Sequence, residues 1–245
     1  MNKRYFRDLV RQWRLSQYTK KYGQNFKFGD LSVAIPNDTA FAIKYALIRN
    51  KYETAEKKMI SKYITSHMPV IEFGGSLGII SKFIATKLEN DTKHIIVEAN
   101  PNIIDICKKN ATTEGRRNST FVLNNAIAYG SNTAKFLISD NVVCSRIVED
   151  GSHNLEVEVT NLSKIVKMYI DENNYTLIMD IEGEEMNVFK NDTSILKNCS
   201  IAIIELHPKI FSQHGFSNND FFKLAKEAGL YPRENCEDVF VFTRN

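Results

Sequence analysis

The sequence lacks any run of about 18 consecutive apolar residues, the shortest stretch that crosses a bilayer as a helix. Its basic N-terminus also lacks the continuous apolar core of a signal peptide. Cysteines are few and far apart, at Cys107, Cys144, Cys199 and Cys236, and no C-x-x-C pair occurs. That spacing argues against a structural zinc site and is typical of reduced thiols. Together these absences predict a cytoplasmic protein.

Repeats and low-complexity segments are absent too, and the net charge of +3 is small for 245 residues. The positive excess is concentrated in the first helix-like segment, where apolar side chains interleave with it. The basic residues are Lys3, Arg4, Arg7, Arg11, Arg14, Lys20 and Lys21, and the apolar ones are Phe6, Leu9, Val10, Trp13 and Leu15. Such a helix either contacts a membrane surface or another anionic partner, or packs its apolar stripe on the domain with the charges outward. The sequence favours the second interpretation.

Short apolar strands alternate with helical segments from Pro69 onward. This alternation predicts βαβ units and an α/β fold, with a doubly wound, mostly parallel sheet covered on both faces. The last strand, "DVFVFTR", is expected to close the sheet as an antiparallel edge. We expect residues 1–67 to form a basic, helical N-terminal extension and residues 68–245 the main domain. In such sheets ligands bind at the carboxyl ends of the strands.

The first core strand ends in a glycine-rich turn. Glu72 is followed by Gly74, Gly75, Ser76 and Gly78, and an apolar helical pattern comes next. The dinucleotide pattern G-x-G-x-x-G is missing because Ser76 stands at its second glycine. The acidic-x-G-x-x-x-G spacing suits S-adenosylmethionine (SAM), whose carboxylate and ribose lie on the loop where a dinucleotide places a diphosphate. The alternative is a strand–turn–helix unit that needs small residues only for packing.

The next two strand ends extend this cofactor prediction. Glu98 follows Gly74 by 24 residues and is placed to accept hydrogen bonds from two ribose hydroxyls. Ala99 beside it leaves room for adenine. Asn125 and Ala126 end the third strand, where the adenine edge is expected, although asparagine is also common at turns.

Acidic residues follow the fourth and fifth core strands. Asp180 and Glu182 end one, and Glu205 and His207 end the other, so all four are expected in the same pocket. One of them is predicted to act as general base, with Asp180 also attracting the cationic end of SAM. The same oxygen ligands suit a divalent cation, so the presence of a metal stays open. Glu184–Glu185 is assigned to a helix N-terminus and left out of catalysis.

These motifs resemble those of the FkbM family of SAM-dependent methyltransferases. The similar segments are Glu72–Gly78, Glu98–Pro101 and Ile178–Glu185. A tyrosine–glutamate pair at Tyr52–Glu53, with Glu56 following, is also similar, and the resemblance covers residues 29–207. It implies a Rossmann-like class I methyltransferase fold with a mostly parallel seven-stranded sheet. It also implies methyl transfer to a hydroxyl, on a sugar of a polysaccharide or glycoconjugate or on a secondary metabolite.

The sequence departs from the family pattern at four positions. Ile178 replaces a lysine, Gly75 and Ser76 replace alanine and asparagine in the loop, and Ala99 replaces a proline. The resemblance to the class remains, but any role of the missing lysine is lost or supplied elsewhere.

Three other functions fit the sequence less well. A nucleic-acid methyltransferase is disfavoured because Asp180–Gly183 stands where an Asn/Asp-Pro-Pro-aromatic segment is expected and because acids repel phosphate. A non-catalytic SAM-binding module does not need acids at both strand ends. A nicotinamide dehydrogenase needs the missing loop glycine. The segment between Ser139 and His153, together with the N-terminal extension, is expected to shape the acceptor pocket, with Ser145 and Arg146 as polar candidates.

Overall fold

The computed structural model describes residues 3–138, 145–147, 155–170 and 174–244. The predicted acceptor segment from Ser139 to His153 lies outside the described residues, apart from the short strand Ser145–Ile147. The role predicted for that segment therefore stays a prediction.

Helices and strands alternate through most of the chain, as the hydrophobic pattern predicts. The helices are α1 (Lys3–Tyr22), α2 (Phe41–Ile48), α3 (Thr54–Tyr63), α4 (Ile79–Ala85), α5 (Ile104–Ala111), α6 (Leu162–Ile165), α7 (Glu185–Asn191), α8 (Thr193–Leu196), α9 (Pro208–Gln213) and α10 (Asn218–Glu227), and a π-helical turn, Val166–Ile170, follows α6. The strands are β1 (Asn25–Phe28), β2 (Leu31–Ala34), β3 (Val70–Phe73), β4 (His94–Glu98), β5 (Thr120–Asn124), β6 (Ala126–Ile127), β7 (Thr133–Ile138), β8 (Ser145–Ile147), β9 (Leu155–Thr160), β10 (Tyr175–Met179), β11 (Cys199–Glu205), β12 (Tyr231–Cys236) and β13 (Val239–Thr243).

The central sheet has seven strands in the order β12-β13-β11-β10-β3-β4-β5. The five from β11 to β5 run parallel, and β13 runs antiparallel to β11. This confirms the predicted doubly wound α/β class with an antiparallel C-terminal edge. That edge is a hairpin of β12 and β13, and β12 was not predicted because its sequence YPRENC is polar and contains a proline.

A second sheet, in the order β6-β9-β7-β8, lies beside the central one. Its strands β7 and β9 pair with each other and do not join the main sheet. The third strand, expected to end at Asn125 and Ala126, is divided there, because the chain changes sheet at Asn125, between β5 and β6. The chain therefore leaves the central sheet at the point where the adenine contact was predicted.

Two apolar cores cover the faces of the central sheet. One contains the alternating side chains Ile71, Phe73 and their neighbours, and the other contains Val70 together with Phe26 and Phe28 of β1. The N-terminal extension therefore shares a core with the sheet. The boundary between residues 67 and 68 stays a prediction.

Helix α1 packs on the body through a different face from the one expected. Leu15 and Tyr18 contact the second core, whereas Phe6, Leu9 and Trp13 are exposed. The prediction that these three residues turn inward is therefore wrong. No helix among the described residues is long and apolar enough to cross a membrane.

Candidate active site

The glycine turn after β3 is fitted closely to the rest of the protein. Gly74 has φ = +93°, and a Cβ built there would lie 1.9 Å from the carbonyl oxygen of Asp180. A Cβ on Gly75 would lie 2.5 Å from Cγ2 of Ile96, and one on Gly78, with φ = +71°, 2.4 Å from the carbonyl oxygen of Cys107. Packing alone therefore requires these glycines, and it brings the loop against Asp180 at the end of β10.

Glu72 lies below this loop in a buried polar group. Its carboxylate oxygens are 2.8 Å from Oγ of Ser81 and 2.8 Å from Nε2 of His94. All three side chains are almost completely buried. Glu72 therefore ties α4 and β4 to β3, and its predicted contact with a cofactor stays a prediction.

Glu98, at the carboxyl end of β4, bonds to the glycine turn. Its carboxylate accepts hydrogen bonds from the backbone N–H of Ser76 at 2.6 Å and of Asn100 at 2.7 Å. Burial raises the pKa of Glu98, and these two donors partly offset the increase. Ser76 has φ = +47°, and its buried Oγ has no hydrogen-bond partner. The glycine turn and Glu98, the residue predicted to bind the ribose, are thus hydrogen-bonded to each other.

The residues predicted near adenine lie next to Glu98 and the end of β4. Ala126 is buried in a small apolar cluster against which Ala99 packs, and Asn125 is half-buried. Sequence reasoning missed Asn124, whose side-chain amide donates to the carbonyl oxygens of Glu98 at 2.9 Å and Ala99 at 3.1 Å. This amide fixes the end of β4 relative to β5.

His207 lies at the centre of an acidic group at the ends of β10 and β11. Its Nε2 is 3.4 Å from Oδ1 of Asp180 and 3.6 Å from Oε2 of Glu182, and its Nδ1 is 3.0 Å from Oε1 of Glu185. Burial acts to lower the pKa of His207, but the hydrogen bond to Glu185 and the surrounding negative charges raise it to about 9. The imidazole is therefore protonated near neutral pH, which does not suit the predicted role of a general base.

Glu185, which sequence reasoning set aside as a helix-terminal acid, is a central member of this group. Its side chain is 0% exposed, and Oε1 also accepts from the backbone N–H of Ile181 at 3.2 Å and of Gly183 at 3.3 Å. Oε2 is buried without a hydrogen-bond partner. Glu185 therefore holds both the turn after β10 and His207, a role that its position in sequence did not distinguish from an interaction with the helix dipole.

Two acids of the N-terminal extension complete the site. Burial and the charge of Glu205 raise the pKa of Glu53 to about 7. Glu56 is 7% exposed, and among the described residues it has no hydrogen-bond or ion-pair partner. Burial, then the charge of Asp180, raise the pKa of Glu56 well above its ordinary value. The family resemblance included both acids, and the N-terminal extension was expected to help shape the acceptor pocket, but neither acid was predicted as a site residue.

A cavity of about 350 Å³ opens next to these acids, between α2, α3 and the turn before β13. Its polar lining residues are Lys51, Tyr52, Glu53, Thr54, Glu205, Glu237 and Asp238. Burial raises the pKa of Glu205, as it does for Asp180, so both carboxyls hold protons more tightly than they would in water. Two of the acids that line the cavity, Glu53 and Glu205, therefore have raised pKa values.

Metal binding receives no support from this arrangement. Within the described ranges, no group of three or more His, Cys, Asp or Glu side chains has the geometry to hold a metal ion. Whether the reaction involves a metal therefore stays open.

The sequence comparison that decides the family concerns residues 72–229. This range, which is more than half of the chain, matches the family model described as the methyltransferase FkbM domain. The chain belongs to the FkbM methyltransferase family. Comparison with curated proteins gives no match.

Matches among solved structures include a TehB-like SAM-dependent methyltransferase from Corynebacterium glutamicum, with 14% identity, a TM-score of 0.45, and coverage of 81% of this chain and 92% of that chain. Another is a protein of the NADB-Rossmann superfamily from Streptococcus agalactiae, with 11% identity, a TM-score of 0.47, and coverage of 78% and 68%. A SAM-dependent methyltransferase from Aquifex aeolicus has 10% identity, a TM-score of 0.41, and coverage of 76% and 87%. The family assignment rests on the family match and on the strand order described above.

The acids of this FkbM methyltransferase fit the charges of SAM. SAM has a cationic sulfonium and a cationic amino group. The backbone of Asp180 lies against the glycine turn, and Glu56 is a buried carboxyl without a hydrogen-bond or ion-pair partner among the described residues. A diphosphate beside the same carboxyls would be repelled, which argues against a dinucleotide. At Glu98, each carboxylate oxygen has a second lone pair available for a ribose hydroxyl.

Proposed function

We propose that this FkbM methyltransferase transfers a methyl group to a hydroxyl oxygen of a small-molecule or saccharide acceptor. The observation that carries the proposal is the position of Asp180, whose backbone lies against Gly74 of the glycine turn while its carboxyl belongs to the acidic group. In this proposal, the residues that bind the cofactor and those that accept the proton lie at one edge of the sheet.

Cofactor binding is assigned to the glycine turn and to the strand ends beside it. Glu98 binds the ribose hydroxyls, Ser76 and the turn hold the amino-acid end, and Asn125 and Ala126 border the adenine. When bound, SAM supplies a methyl group on a strongly electrophilic sulfonium. The contribution of the protein is to hold the acceptor oxygen in line with that methyl and to take its proton.

The general base in this proposal is a carboxylate of the cavity. His207 is held in its protonated form by Glu185 and the acids around it. Glu205 and Glu53 line the cavity, and the pKa of Glu53 is raised to about 7. A group with this pKa accepts a proton at neutral pH while part of it remains ionised. Glu205, at the end of β11, is the base that we favour, with Glu53 as its partner; Glu182 and His207 stabilise the turn and its charge.

A neutral, polyhydroxylated acceptor fits the cavity better than an anionic one. Four carboxyls line it with one lysine, so a phosphate-rich acceptor such as a nucleic acid would be repelled. We propose a sugar of a polysaccharide or glycoconjugate, with the hydroxyl of a secondary metabolite as the second candidate. A cytoplasmic location remains part of this proposal.

The test is the formation of S-adenosylhomocysteine from SAM with panels of sugars, glycans and phenolic or aliphatic alcohols. Mass spectrometry of the product locates the new methyl group. Methylation of nitrogen or carbon, or of RNA in preference to sugars, would contradict the proposal. Tight SAM binding without turnover across all panels would favour a non-catalytic module. Glu205→Gln is expected to lower kcat at least about 100-fold with SAM affinity unchanged.

A further inference from the structure

The outward face of α1 carries a stripe of large apolar side chains. Tyr5, Phe6, Leu9 and Trp13 are 59%, 56%, 44% and 62% exposed. At 3.6 residues per turn, these four residues fall within about 100° of the helix circumference. No other described part of the chain covers them. A contiguous exposed apolar stripe of this kind marks an interaction surface.

The opposite face of α1 is already used to hold the helix on the body. Leu15 and Tyr18 pack against the second core, and the ring of Tyr18 lies 5.0 Å from that of Phe26. The guanidinium of Arg11 lies over the ring of Tyr45 on α2 at 5.7 Å. Because these contacts fix the rotation of the helix, the apolar stripe cannot turn inward without losing them.

The charge of α1 differs from that of the rest of the molecule. Residues 3–22 include seven basic residues and one acid, whereas the whole chain has a net charge of +3, so the other residues carry −3. The single acid, Asp8, is 3.3 Å from Arg11. Arg7, Arg14 and Lys21 are exposed along one flank of the stripe. An apolar stripe bordered by cations is the arrangement of a helix that lies in a membrane interface.

We propose that the outward face of α1 docks the protein on an anionic lipid surface, with the aromatic side chains in the interface and the cations on the headgroups. Nucleic acid fits less well because the apolar side chains, not the cations, occupy the middle of the exposed face. A second copy of the chain fits less well because two such faces would bring their cations together. The proposal does not depend on the reaction that the protein catalyses.

Helix α1 also contacts an element of the candidate site. α1 contacts α2, and Ala42, Ile43 and Ala46 of α2 line the acidic cavity. α2 therefore links the docked helix to one wall of this cavity.

The test is sedimentation of the full chain with phosphatidylcholine vesicles and with vesicles that also contain phosphatidylserine. We expect binding to the anionic vesicles only, and weaker binding as salt is added, because surface attraction is screened. Arg7→Glu with Arg14→Glu should weaken binding at least about tenfold, since each cation near the surface contributes about fivefold. Phe6→Ala with Trp13→Ala should also release the protein from the vesicles.

The matched control is Met168→Ala, which removes another strongly exposed apolar side chain, 71% exposed, outside α1. It should leave vesicle binding unchanged. All of the substituted side chains are exposed, so the variants are expected to fold, which circular dichroism checks. Equal vesicle binding by the wild type and Phe6→Ala/Trp13→Ala overturns the proposal. So does salt-sensitive binding of an RNA oligonucleotide, lost in Arg7→Glu/Arg14→Glu, in the absence of vesicle binding.

Discussion

At the scale of single residues, the site depends on carboxyls that are kept partly out of water. Glu98 bonds to two backbone N–H groups, Glu185 to two more and to His207, and Glu56 has no partner among the described residues. Removal of any of these acids is therefore expected to change SAM binding or the pKa values of neighbouring groups, and not only packing.

Glu98→Ala should weaken SAM binding by roughly 10- to 100-fold, the usual effect of losing hydrogen bonds to a charged group. Titration calorimetry measures the affinity, and Glu114→Ala, which removes an exposed acid in the loop after α5, is the control. A Glu98→Ala variant that is folded and binds SAM as the wild type does would remove the ribose assignment.

Glu185→Gln should lower the pKa of His207 from about 9 toward its ordinary value of 6.5. The reason is that the Glu185 carboxylate accepts a hydrogen bond from the ring and stabilises the positive charge of the imidazolium. NMR titration of the imidazole reports this pKa directly. The control is Glu184→Gln, the adjacent acid, whose carboxylate accepts from Asn187 at 2.9 Å. Equal shifts in both variants would show that general charge, not the contact with Glu185, sets the His207 pKa.

At the scale of elements, the turn between β3 and α4 is held by close approaches from three directions. The backbone after β10 contacts it at Gly74, β4 contacts it at Gly75, and α5 contacts it at Gly78. These contacts position the turn before any ligand binds. Side chains at these positions would push the strand ends apart.

Gly74→Ala should destabilise the protein and abolish SAM binding, because its Cβ would lie 1.9 Å from a backbone oxygen. Gly130→Ala is a matched control, since Gly130 has a similar φ of +85° but nothing within 4 Å of the built Cβ. Strain alone should cost Gly130→Ala about 1–2 kcal/mol, and Gly74→Ala should lose several kcal/mol more from overlap. Urea unfolding compares the two variants, and equal losses would mean that the overlap is relieved at little cost.

At the scale of the whole molecule, Glu53 and His207 make stability depend on pH in the same direction. The folded-state pKa values of Glu53 and His207 are raised to about 7 and about 9. For each group, the stabilising contribution is complete below the unfolded-state pKa and is lost as pH rises through the folded-state pKa. The window is therefore about pH 4.5 to 7 for Glu53 and about pH 6.5 to 9 for His207.

The free energy of unfolding should consequently fall as pH rises from about 6 to about 9, with about 2 kcal/mol of the decrease due to His207. His207→Gln should flatten this part of the profile, because glutamine does not titrate. Urea unfolding at several pH values measures the difference between the two proteins. A difference that is constant with pH would contradict the raised pKa of His207.

The sequence by itself determined the sheet, because runs such as "HIIVEAN" and "YTLIMDIEG" bury both faces and leave polar residues only at their carboxyl ends. It also identified the glycine turn and the acids Asp180 and Glu205, since their positions follow from the strand ends. Only the tertiary structure decided the roles of Glu185, Glu53 and Glu56. Their neighbours come from distant parts of the chain, and local sequence cannot separate a helix-terminal acid from a buried one. The outward rotation of α1 was likewise decided by its contacts with α2 and β1, which no helical periodicity encodes.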